Sequence, residues 1–269
     1  ESTSMSTRSN AATRVLFVSQ GDALDRSHID LDTGEGVMGT YVVRPSRPER
    51  VPVVVFLMDA PGKRPLLHQM ADRIAGWGFH VMLPNLYYRT TPSFELDFSS
   101  RESFERMREL MSNIGNVMVG RDVGKLLAHA ASDPNADASN VGVVGYCMSG
   151  PFAIWNAAEH ADVVRAAASF YGVRLHVDKH DSPHSRLAEI SAEIYVGAAE
   201  HDDYVPLDMI DRFEAAMQES GTRGHVERYW GKHHGFAFSD RPQHDPASEN
   251  RHWRVLADLF GRNLLGRTS

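Results

Sequence analysis

The segment at 51–58, Val-Pro-Val-Val-Val-Phe-Leu-Met, constrains the fold more than any other. A strand with one wet face alternates apolar and polar residues, whereas an unbroken apolar run needs cover on both faces. The same kind of run recurs at 79–83, 141–145, 166–171 and 194–197. A more polar, alternating segment at 225–230 suits a strand nearer a sheet edge. Helix-like stretches at 66–77, 103–114, 117–131, 151–158, 207–218 and about 250–264 separate these runs. In the fifth, Leu207, Ile210, Phe213 and Met217 recur at three- and four-residue steps and form one apolar stripe. Strands separated by helices imply crossover connections and a mostly parallel, doubly wound α/β sheet with helices on both faces. Segments 14–19 and 40–44 are expected to add antiparallel strands at one edge. A Pro- and Ser-containing stretch at 90–103 reads as a long surface loop, a common site of functional walls or lids.

The chain has 269 residues, and 14–269 reads as one domain. Residues 1–13, rich in Ser and Thr and without an apolar core, read as a disordered leader or cloning remnant rather than a secretory signal. No apolar run approaches the roughly 18 residues of a membrane span. Acidic residues outnumber basic ones, 35 to 28, which argues against a nucleic-acid partner. A single cysteine excludes an internal disulfide and any zinc site built on several thiolates. These features set a cytoplasmic location as the expectation. His176, His180 and His184 have the spacing of ligands on one helix face, but Pro183 breaks a helix there, and no metal is expected.

That one cysteine sits in the most informative segment, Asn-Val-Gly-Val-Val-Gly-Tyr-Cys-Met-Ser-Gly at 140–150. An apolar strand ends at Gly145, Cys147 follows two residues later, and Ser149-Gly150 leads into a helix. A free cysteine is ordinarily a small buried hydrophobe. Small residues at 145, 149 and 150 in a strand-to-helix turn reverse that expectation. Such a turn is too sharp for larger side chains, and it lifts a nucleophile out of the sheet. It also puts the sulfur at a helix N-terminus, which favours a thiolate.

A nucleophilic thiol needs a base, and the base an orienting group. Asp202 and Asp203 follow the run at 194–197, and His233 and His234 follow the run at 225–230. Nucleophile, acid, histidine is the chain order of α/β-hydrolases, and all three positions lie at carboxyl ends of expected strands. The pattern by itself leaves the choice within each pair open.

From about residue 51 to 264 the chain resembles the dienelactone hydrolase family of α/β-hydrolases. That family carries a Gly-Tyr-Cys-x-Gly-Gly elbow, matched by Gly145 to Gly150 except that Ser149 replaces the first closing glycine. Its Asp-His-Phe-Val-Pro-like run maps onto Asp202-Asp-Tyr-Val-Pro206 and selects Asp202 as the acid. Its His-Ser-Phe-Ala run maps onto His234-Gly-Phe-Ala237 and selects His234. The resemblance implies hydrolysis of a small ester or lactone by Cys147, His234 and Asp202 through an acyl-thioenzyme, with no cofactor. It assigns the oxyanion N–H groups to Ala60 and Met148. Asp59 takes the place of the family's Glu that holds the resting thiol, one methylene shorter. Arg89, in Pro84-Asn-Leu-Tyr-Tyr-Arg89, matches one of two arginines that hold a substrate carboxylate, while Phe238 stands where the second would be. Arg241 is near enough in sequence to substitute. Phe238 in place of a cation argues for a less anionic, bulkier or more apolar substrate. Tyr87, Tyr88 and Phe94 are candidates to line the pocket and equally candidates for the core. The rival readings are a general small-ester carboxylesterase of the same fold, a scaffold kept as a binding module, and a redox-sensing thiol.

Overall fold

The computed structural model describes residues 23–266. One sheet of eight strands runs through it in the order β1-β2-β4-β3-β5-β6-β7-β8. Strand β1 (Leu24–Asp32) pairs antiparallel with β2 (Val37–Pro45), and β2 pairs antiparallel with β4 (His80–Pro84). All other pairings are parallel: β3 (Val51–Leu57) lies between β4 and β5 (Ala136–Tyr146), followed by β6 (Val164–Phe170), β7 (Glu193–His201) and β8 (Gly224–His233). Every residue of β3 is buried, as the unbroken apolar run requires.

The helices are α1 (Pro65–Ala75), α2 (Arg101–Ser112), α3 (Asn116–Ser132), α4 (Gly150–Glu159), α5 (Leu207–Ser220) and α6 (Pro246–Leu264). Gly142 faces α6, where an added Cβ would lie 2.9 Å from Phe260 and Leu264. The adjacent Val141 and Val143 therefore point to the opposite face, and both are fully buried. The sheet is thus covered on both sides. Trp77, just after α1, meets Trp253 of α6 edge to face. In α5 the buried stripe is Met209, Ile210, Phe213 and Met217, with Leu207 only half-buried at the first turn.

The edge differs from expectation in one respect. The segment 14–19 lies outside the described residues, and the outermost strand is β1, where no strand was expected. Its sequence, Leu-Asp-Arg-Ser-His-Ile-Asp-Leu-Asp, is mostly exposed, so pairing with β2 rather than apolar burial makes it a strand. The helix–strand alternation places the ends of β3, β5, β7 and β8 along one edge of the sheet, where side chains from distant segments converge. Among the described residues no helix is long and apolar enough to cross a membrane.

Candidate active site

Strand β5 ends at Tyr146 and α4 begins at Gly150, with one turn of 3₁₀ helix between them. Cys147 opens that turn at φ 53°, left-handed backbone that a side chain with a Cβ adopts at a cost. Close packing holds it there. A Cβ on Gly145 would sit 2.1 Å from the Ser149 carbonyl oxygen, and one on Gly150 2.3 Å from the Gly172 Cα. The Cys147 carbonyl accepts from Val173 N–H at 3.1 Å, which ties the turn to the loop after β6.

The loops after β7 and β8 bring the acid and the imidazole together. His234 Nδ1 and Asp202 Oδ2 are 2.7 Å apart, with the Asp202 side chain fully buried. Asp202 Oδ1 accepts from the Tyr204 N–H at 2.9 Å, so both carboxylate oxygens are engaged. The neighbours face elsewhere: Asp203 is exposed, and His233 is exposed beside His201. His234 Nε2 is buried with no hydrogen bond in good alignment, and Cys147 is the group beside it. Apo sites often hold such pairs loosely until substrate arrives. Burial pushes the imidazole pKa down, but the bond to Asp202 and the neighbouring Cys147 outweigh it and raise the value to about 10.

Among the described residues, Ala60, in the turn after β3, donates its N–H to no acceptor in the turns and loops. Met148 lies in the first turn after the strand, where N–H groups have no intrahelical acceptor. Tyr87 links the two residues: its hydroxyl donates to the Ala60 carbonyl at 2.8 Å and lies 3.4 Å from Met148 Sδ. Expected as a pocket wall, Tyr87 is thus a buried brace behind the expected oxyanion donors.

Three other expected residues are placed differently from the roles the resemblance implied. Asp59 makes no hydrogen bond to Cys147. Its carboxylate takes Arg64 Nη1 at 2.6 Å, Arg64 Nη2 at 3.3 Å and Arg241 Nη2 at 2.9 Å. Arg64 also donates from Nε to Asp240 at 2.5 Å, which closes a charge-balanced network of two acids and two arginines. Arg89 is occupied as well. It forks onto Asp122 at 2.6 and 2.9 Å and reaches Glu35 at 2.6 Å, and Tyr88 Oη adds a 2.8 Å bond to Asp122. Phe238 is 1% exposed, with its ring 4.9 Å from Tyr146 and 5.9 Å from Tyr171, so it packs in the core and does not line the cleft described below.

A cleft of about 320 Å³ opens beside Met148. Met111, Ile114, Phe152, Val173 and Tyr204 give it apolar walls, and Arg174, Lys179 and Asp181 contribute mixed charge. Tyr204 stands edge-on to the His234 ring with centroids 5.0 Å apart, so the cleft and the imidazole share a wall. The triplet His176, His180 and His184 forms no metal-ligand cluster among the described residues; His176 stacks on His184 with ring centroids 3.7 Å apart. Arg64 and Asp240 were not singled out in the sequence, and Ser149 was read there only as a small residue of the turn. Only Ser149 carried a signal, as a departure from the family's glycine.

Comparison with known proteins agrees with this architecture. A model of the dienelactone hydrolase family matches residues 38–264. The carboxymethylenebutenolidase of Pseudomonas sp. (strain P51) is 29% identical over 237 residues, covering 87% of this chain and 94% of that protein. Carboxymethylenebutenolidase 1 of Cupriavidus pinatubonensis is 25% identical over 214 residues, covering 79% of this chain and 86% of that one. Among solved structures, a dienelactone hydrolase-like promiscuous phosphotriesterase from metagenomic libraries superposes with a TM-score of 0.73 at 18% identity. That match covers 91% of this chain and all of the other.

Proposed function

Because this chain belongs to the dienelactone hydrolase family, an ester- and lactone-cleaving group, we propose that it hydrolyses neutral esters or lactones through Cys147, His234 and Asp202. The observation that carries the proposal is the pairing of His234 with a fully buried Asp202, beside a cysteine held in left-handed backbone at a strand-to-helix turn.

The Cys147 thiol gives its proton to His234 Nε2, and the sulfur attacks the carbonyl carbon. Asp202 fixes the imidazole tautomer and stabilises the cation. The oxyanion is met by the N–H groups of Ala60 and Met148, donors fixed before the charge develops. Collapse of the tetrahedral species expels the alkoxide, which takes the proton from His234, and leaves a thioester. In that acyl-enzyme the thiolate no longer holds up the imidazole pKa, while burial still lowers it. Neutral His234 can then take a proton from water, whose oxygen attacks the thioester; the acid leaves and Cys147 is restored.

The charge layout supports a neutral substrate. Arg89 is neutralised by Asp122 and Glu35, and Arg64 and Arg241 by Asp59 and Asp240. None of these guanidinium groups is left without a carboxylate, and the cleft beside Met148 offers mainly apolar walls, with Arg174 and Lys179 set against Asp181, to the group attached to the reacting carbonyl. A chromogenic short-chain ester, assayed before and after thiol alkylation, tests the reading. Hydrolysis lost on alkylation and in Cys147→Ala supports it; hydrolysis that survives both refutes it. We propose further that the enzyme acts in the cytoplasm and that the three side chains and water suffice, without a cofactor.

A further inference from the structure

Strands β3 and β5 run parallel, with Leu57 opposite Gly145 at the end of their shared ladder. Beyond that rung they part. The chain after β3 turns through Asp59 to Ala60, and the chain after β5 turns through Cys147 to Met148. The two expected oxyanion donors therefore sit on separate segments, and the separation between them is set where the ladder has already ended.

Ser149 spans that gap. It is fully buried. Its hydroxyl accepts from the Tyr146 N–H at 2.9 Å and lies 3.0 Å from the Leu57 carbonyl oxygen and 3.1 Å from that of Tyr146. One side chain thus supplies an additional rung, taking an amide of one strand and donating its single proton toward the carbonyl at the end of the other. A glycine here, the residue of the family pattern, has no atom to make this bridge.

Resting on the acyl-transfer reading above, we propose that Ser149 is a positioning residue that fixes the spacing of the Ala60 and Met148 N–H groups by clamping the end of β3 to the nucleophile turn. It touches neither substrate nor sulfur. Its effect is confined to steps that build negative charge on a carbonyl oxygen, because misplaced donors lose much of their stabilisation of that charge.

The test compares two reactions of the same thiol. Ester hydrolysis passes through an oxyanion; alkylation by iodoacetamide, in which the thiolate displaces iodide, does not. Ser149→Gly and Ser149→Ala are expected to lower kcat for a short aryl ester about tenfold to a hundredfold. KM and the alkylation rate should stay near the parent values, and Ser149→Thr, which keeps the hydroxyl, should recover part of the loss. The alkylation rate also reports whether each variant retains its folded site. Parent-like kcat in the glycine and alanine variants overturns the proposal, as does a parallel fall of both reactions, which would mark a general structural role. Should the parent itself show no thiol-dependent hydrolysis, the acyl-transfer reading fails and this proposal falls with it.

Discussion

Two buried carboxylates face the same site and are treated in opposite ways. Asp59, after β3, is saturated by Arg64 and Arg241, and Asp240 completes a network without net charge. Asp202, after β7, holds one imidazole and one backbone N–H, and its partner's second nitrogen is left without an aligned bond. A carboxylate pinned by two guanidinium groups is a structural anchor, since moving it would strand two buried charges. One that holds only a histidine can stabilise a proton as it arrives and release it as it leaves. The difference lies in the number of cations each has been given, not in burial.

The largest test of that contrast is Asp202→Asn, which should lower kcat/KM by roughly a thousandfold to ten-thousandfold by losing the imidazole's orientation and charge partner. Asp203→Asn, at an exposed position, should leave it near the parent value. Steady-state kinetics of the two variants decide the matter, and equal losses would erase the distinction. Asp59→Asn should act mainly on stability. Breaking a buried pair of this kind costs about 3 kcal/mol. The melting temperature should fall by roughly 6–12 °C for a chain of this size. Alkylation of Cys147 at 25 °C should change little; a large change would mean that Asp59 governs the thiol after all.

A third test uses acid. His252 is fully buried, bonded to Tyr146 Oη at 2.7 Å, and burial pushes its pKa down to about 3. Burial likewise lowers His80 to about 4. Both stay neutral in the folded chain over a range in which the unfolded chain takes up protons. Stability is therefore fully present above about pH 6.5 and is lost as pH falls toward 4 and then 3. The loss should be about 3 kcal/mol for His80 and about 5 kcal/mol for His252. His234 has the opposite sign: raised to about 10, its contribution is present below pH 6.5 and is lost as pH rises through 10. Denaturant midpoints for the parent and His252→Phe should diverge below pH 6.5, with the variant flatter. Parallel curves would show that His252 is not the group that titrates.

Much of this was legible in the residue order. The parallel centre of the sheet follows from apolar runs, and the elbow from small residues around Cys147, because both depend on neighbours in sequence. Strand β1 was hidden because it buries little and owes its form to one pairing partner. The anchoring of Asp59 was hidden more deeply: Arg241 lies 182 positions away, and nothing in either local motif announces the other. Arg89 shows the converse. Its motif was visible, but the motif does not reveal that Asp122, 33 residues on, occupies the guanidinium.

Arg89 also gives the smallest expected effect. If its charge is spent on Asp122 and Glu35, a substrate carboxylate would have to displace a buried bidentate partner to use it. A free charge-assisted bond contributes roughly 1.5–3 kcal/mol, enough for a tenfold to hundredfold preference. An exchange of one carboxylate for another contributes close to nothing. A matched pair of substrates, one with a free carboxylate and the other its methyl ester, should therefore show the neutral member cleaved with kcat/KM at least as high, at equal ionic strength. Arg89→Lys keeps a cation against Asp122 and should leave that ratio unchanged, whereas Arg89→Ala would leave Asp122 unpaired and obscure the result with lost stability. A strong preference for the carboxylate, reduced in Arg89→Lys, would show that Arg89 turns from Asp122 to the substrate, and that this cation belongs with the reactive half of the site rather than with its anchors.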